Sequence, residues 1–94
     1  MLAMKLTKPQ IELLASLSDG RPHEVRSRAV GFSGYVTQQG ARKTTIAALK
    51  DAGLITTESV SGSDMHRGFT RYGHIIYAEI TPMGRAYLAG LRAR

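Results

Sequence analysis

Apolar residues recur every three to four positions near both ends and in the middle of the chain, and every second position between Leu54 and Thr81. The first helical stripe is Ile11, Leu14 and Leu17, widened by Leu13, and it predicts an amphipathic helix. Thr7-Lys8-Pro9-Gln10 supplies its start: the Thr7 hydroxyl can cap a free backbone N–H, Gln10 can return the bond, and Pro9 falls where an absent N–H costs little. Asp19-Gly20 supplies its stop. Arg21 to Tyr35 reads as a short second helix opened by Pro22 and running through Glu24, Val25 and Ala29, with a turn at Gly31 and Gly34. From about Thr37 to Ala52 the pattern predicts a third helix. It turns Thr45, Ile46, Leu49 and Ala52 inward, leaves Gln39, Arg42, Lys43, Thr44, Ala47 and Lys50 outward, and ends at Gly53.

Two runs rich in Ile, Thr and Tyr follow, Leu54 to Val60 and His74 to Thr81, joined by a Gly, Ser and Arg segment from Ser61 to Gly73. They predict a β-hairpin with a long tip. In the second run Ile76, Ala78 and Ile80 share one face, and Ile75, Tyr77 and Glu79 the other. Thr81-Pro82 opens a last helix with Met83, Ala86, Tyr87 and Leu91 as its apolar stripe. The expected architecture is therefore α+β and a single domain over 1–94: a three-helix core, a two-stranded hairpin and a C-terminal helix.

Charge sharpens the picture. Thirteen Lys and Arg against seven Asp and Glu give a net +6 over 94 residues, which favours polyanionic partners. The absence of cysteine excludes disulfides, a thiol nucleophile and sulfur-ligated zinc. No stretch approaches the ~20 apolar residues of a membrane span, and the opening MLAMKLTKPQ has no signal-peptide core. A cytoplasmic location without membrane association is the expectation. His23, His66 and His74 are not spaced as metal ligands, and no Ser, His and acid arrangement or phosphate-binding loop is suggested. The chain reads as non-enzymatic, with no cofactor implied.

The functional constellation is a basic, amide-rich third helix, about 38–52, followed by a basic hairpin tip. Gln38, Gln39, Arg42, Lys43 and Thr44 have the chemistry to meet base edges in a major groove, where Gln suits adenine and Arg suits guanine. The run from Arg42 to Ile55, ending Ala52-Gly53-Leu54-Ile55, resembles the recognition helix and first wing strand of winged helix-turn-helix regulators of the MarR-like type. Thr81-Pro82-Met83-Gly84-Arg85-Ala86-Tyr87-Leu88 resembles the segment after their second wing strand. The resemblance covers the C-terminal half and implies a winged helix, with a wing over about 54–81 and a last helix over about 82–92. It implies a sequence-specific double-stranded DNA-binding protein, a bacterial or phage transcription regulator. Gln39, Arg42, Lys43 and Thr44 would be its helix contacts, and Arg67 and Arg71 its wing contacts.

One such module reads few base pairs, so a homodimer or a protein partner is expected, with Leu88 and Leu91 of the last helix as a candidate surface. Two rival readings stand beside this one. A winged-helix protein–protein adaptor would have the same fold and no DNA contact. A single-strand binder would stack bases on Phe32, Tyr35, Phe69 and Tyr72.

Overall fold

In the computed structural model, which describes residues 5–31, 34–62 and 70–92, the chain runs through seven elements. In order these are α1 (Lys8–Ser16), β1 (His23–Gly31), β2 (Val36–Gly40), α2 (Lys43–Asp51), β3 (Ile55–Gly62), β4 (Thr70–Ile80) and α3 (Pro82–Arg92). The strands form one antiparallel sheet in the order β2-β1-β4-β3. This overturns the expected three-helix core with a two-stranded wing. The region read as a second helix is β1, and the region read as the first turns of a third helix is β2.

Both corrections have a physical cause. Val25 and Ala29 sit four apart, a spacing that suits a helix as well as a strand. What decides is that β1 can pair along both edges, with β4 from His23 to Gly31 and with β2 from Arg26 to Val30. Gly40 has φ 105°, which no right-handed helix accommodates, and a Cβ there would collide with the Val25 carbonyl. The chain therefore stays extended through Gly40 and turns helical only after Arg42.

The elements with local signals form as their residues dictate. The Thr7 hydroxyl accepts from the Gln10 N–H at 3.4 Å, and Gln10 Oε1 accepts from the Thr7 N–H at 3.0 Å, closing the capping box of α1. At the end of α2 the Leu54 N–H donates to the Leu49 carbonyl and the Gly53 N–H to the Lys50 carbonyl, each at 3.0 Å, with Gly53 left-handed at φ 78°. This is the paired-bond stop of a Schellman motif. Thr81 then stitches two turns together. Its hydroxyl donates to the Gly53 carbonyl at 2.7 Å and accepts from the Gly84 N–H at 3.0 Å, while its own N–H donates to the Leu54 carbonyl at 3.0 Å.

All three helices contribute to one core on one face of the sheet. Leu14, Leu17, Ile46, Leu49 and Leu88 pack with Val25, Leu54, Ile55, Ala78 and Ile80, and Ile76 borders them. Leu88 is thus a core residue and Leu91 packs against the core, so the pair does not form the outward surface expected of the last helix. Met83, by contrast, stands 58% exposed. Among the described residues the other face of the sheet carries no helix. Its rows, set by register and alternation, are Glu58–Tyr77–Glu24, with Thr56–Glu79 on one side and Val60–Ile75–Ser27 on the other.

Between α1 and β1, Asp19 accepts from the Arg21 N–H at 2.9 Å and meets His23 Nε2 at 2.8 Å. The Arg21 N–H first, and then the His23 contact, hold the Asp19 carboxyl below the ordinary carboxylate range. A carboxyl whose folded value lies below its unfolded value, about 3.9, stabilises the fold above that value and loses its contribution as pH falls through the folded one. Asp19→Asn is therefore expected to be slightly less stable than the parent at neutral pH. Thermal unfolding from pH 7 down to pH ~3 should show the gap closing as the parent's carboxyl is protonated; a gap constant with pH would contradict the assignment.

Candidate nucleic-acid interface

The end of β2 and the start of α2 bring together part of the expected constellation. Arg42 is the N-cap residue of α2, with extended backbone and no side-chain cap of its own, and Lys43 and Thr44 form the first helical turn. All three are exposed, as are Ala47 and Lys50 further along α2. The buried stripe of α2 is Ile46 and Leu49, so packing on α1 and the sheet turns the basic stripe outward.

Gln38 and Gln39 lie on β2, not on a helix, and alternation sends them to opposite faces. Gln38 stands opposite Arg28 on the helix-bearing face, and Gln39 opposite Ser27 on the open face. Only Gln38 therefore joins the cations near α2. It is held there by Arg26, whose Nη2 donates to Gln38 Oε1 at 2.8 Å while its Nη1 donates to the Ala41 carbonyl at 3.0 Å. Arg26 thus fixes both the amide of Gln38 and the connection that leads into α2. Arg71 lies on β4. Arg67 lies outside the described residues, as do Phe32, His66 and Phe69.

Arg26 and Arg28 extend the cationic surface onto β1, and the spacing of residues offers no means of finding them. Glu24, Arg26 and Arg28 alternate in the sequence as if they shared one face. A bulge between Glu24 and Arg26 reverses that: Glu24 pairs with Tyr77 on the open face, whereas Arg26 pairs with Ile76 and Arg28 with His74 on the helix-bearing face. The consequence is segregation of charge within the sheet, while Glu12 of α1 and Asp51 of α2 remain on the helix-bearing side. Glu24, Glu58 and Glu79 lie on the open face, while Arg26 and Arg28 lie on the side of the helices. Among the described residues the one ion pair is His23 with Asp19, so Arg28, Arg42, Lys43 and Lys50 have no carboxylate within bonding distance there. An open cleft of about 710 Å³ between the starts of α1 and α2, lined in part by Gln10, Glu12, Arg42 and Thr44, borders this surface.

Among the described residues no helix is long and apolar enough to cross a membrane. Comparison with protein-family models, curated proteins and solved structures finds no match. The chemistry of the surface is therefore the basis for assigning a role.

Proposed function

We propose that this chain binds double-stranded DNA, as a transcription regulator and not as an enzyme, through the surface formed by Arg26, Arg28, Gln38, Arg42, Lys43 and Thr44. The observation that carries the reading is the charge of the sheet and of the start of α2: among the described residues Arg26, Arg28, Arg42 and Lys43 have no carboxylate partner and lie on the helix-bearing side, and the sheet carboxylates Glu24, Glu58 and Glu79 lie on the opposite face. A phosphate backbone approaching the first side meets attraction and approaching the second meets repulsion, so the protein has one orientation on a duplex. The exposed first turn of α2 adds unpaired backbone N–H groups and the positive end of the helix dipole, which also favour phosphate. The resemblance of Arg42 to Ile55 and Thr81 to Leu88 to MarR-like DNA-binding segments points the same way. Arg42 is the side chain suited to base edges; Gln38, held by Arg26, and the remaining cations set register and affinity.

Fluorescence anisotropy with a random duplex pool over a salt series tests this. Affinity should fall steeply as salt rises, and the combined change Arg42→Ala with Lys43→Ala should reduce the slope of log K against log salt by about 2, at ~0.9 for each phosphate no longer neutralised. Absence of binding at low salt would sink the proposal and turn attention to the adaptor reading. The open face, with Ile75, Tyr77 and Val60 among its carboxylates, would then be the surface to probe with protein partners.

A further inference from the structure

Among the described residues β2 ends the sheet, pairs on one side only, and is exposed at all five positions. The direction of its backbone groups follows from two bonds that bracket it. The Gly31 N–H donates to the Tyr35 carbonyl and the Ala41 N–H to the Val25 carbonyl, both at 2.8 Å. In an antiparallel ladder these groups alternate, so Thr37 and Gln39, like Tyr35 and Ala41, turn theirs toward β1. Val36, Gln38 and Gly40 turn N–H and C=O outward, away from the sheet. Sheet edges are ordinarily guarded against pairing by Lys, Pro, bulges or covering loops. From Tyr35 to Ala41 this edge has neither a charge nor a proline, in a chain of net +6. The opposite edge, β3, carries Glu58.

We infer that β2 is a self-association edge: it pairs antiparallel with β2 of a second copy about a twofold axis at Gln38, joining two four-stranded sheets into one. This register sets Gln38 opposite its own copy and Val36 opposite Gly40, so every outward N–H of either strand meets an outward carbonyl of the other. The side chains are self-complementary as well. Val36, 43% exposed, comes to lie beside Gly40, so an exposed branched side chain meets the smallest residue. Arg26 occupies one lone pair of Gln38 Oε1 and leaves the amide NH₂ to donate across the axis.

Charge permits this register: the edge itself is uncharged, and the two Arg28 residues behind Gln38 lie three strand spacings apart, ~14 Å at ~4.8 Å each. Two Arg42 residues, each four positions from the axis, lie about 27 Å apart along the strands at ~3.4 Å per residue, well beyond a Debye length of about 8–10 Å. Centring the axis on Gly40 would halve that separation and leave fewer residues paired. The contact is one pair of five-residue strands, short of an obligate interface, so reversible association is expected. The inference does not rest on DNA binding. If that reading also holds, a twofold axis normal to the sheet turns both α2 helices to the same side. Their starts are then separated on the order of the ~34 Å between successive turns of a duplex.

Sedimentation equilibrium of the full chain, without DNA and up to high-micromolar concentration, tests it. The parent should approach twice the chain mass. Gln38→Lys places like charges directly opposite and should remain monomeric with an unchanged circular dichroism spectrum. Gln38→Cys supplies a trap, because the chain has no other cysteine and hydrogen-bonded partners across a ladder have Cα atoms about 5.5 Å apart, within disulfide reach. Oxidised glutathione, which takes the two thiol electrons, should convert Gln38→Cys to a covalent dimer and leave Thr56→Cys on β3 largely uncoupled. A monomeric parent, a dimer that survives Gln38→Lys, or a dimer that Gln38→Cys fails to trap would overturn the inference. DNA binding is measured separately, so either conclusion can fail alone.

Discussion

Leu49→Ala is expected to lower the free energy of unfolding by about 2–5 kcal/mol, a large share of the ~5–15 kcal/mol typical of a domain. Leu49 is fully buried within the cluster shared by Leu14, Leu17, Leu54 and Leu88, with contributions from all three helices. Truncation there removes transfer energy and leaves a cavity that rigid neighbours on separate elements close poorly. Its backbone carbonyl still accepts the Leu54 N–H, so the stop of α2 survives and the loss reports packing alone. Urea titration should show a lower midpoint with an unchanged slope. A loss under ~1 kcal/mol would mean that α2 is not seated on α1 and the sheet as described.

The second large effect runs against helix propensity. Glycine to alanine inside a helix ordinarily gains up to about 1 kcal/mol. At Gly90 of α3 nothing approaches the position a Cβ would take, and Gly90→Ala should show that ordinary gain. At Gly84 of the same helix a Cβ would collide with the Leu54 carbonyl and Ile80 Cγ1 and stand 3.3 Å from Leu14 Cδ1. The Leu54 carbonyl cannot yield cheaply, because it accepts the Thr81 N–H that anchors the start of α3. Gly84→Ala should therefore destabilise by about 1–3 kcal/mol. The opposite signs at two glycines of one helix are the test. Equal gains in thermal unfolding would remove the close approach of α3 to the start of β3.

What could be read from the sequence was what local chemistry decides. Thr7, Pro9 and Gln10 start a helix in any context, Gly53 stops one, alternation from Ile75 to Ile80 marks a strand, and Thr81-Pro82 opens α3. β1 and β2 were not legible because their signals are short and shared. Val25 and Ala29 fit either period, and pairing with β4, whose partners stand 39 to 55 positions further along the chain, settles the choice. Gly40 carried the clue: its place inside an expected helix was the local conflict, and its left-handed φ resolves it. The candidate interface divides along the same line. Lys43 and Thr44 lie on an exposed helical turn, whereas Arg42, expected inside the helix, is the extended residue that caps its start. Gln38 and Gln39 were assigned to that helix and instead diverge across a strand. The contribution of Arg26 and Arg28 depends on a bulge at Val25 that no spacing rule reveals.

The β1–β4 seam has a kinetic consequence. β1 and β2, and likewise β3 and β4, are neighbours in the chain, so each pair closes a short loop and can zip on a microsecond timescale. The seam joins His23 to Ala78, and its formation must first confine the chain between them, an entropy cost incurred before any pairing in the seam repays it. Until that closure the apolar side of each two-stranded piece lacks its neighbour, and the three helices have no common floor on which to settle. The assembled sheet is thus the slow product of two fast halves, and residues at the seam govern the pace of folding more than those at either hairpin.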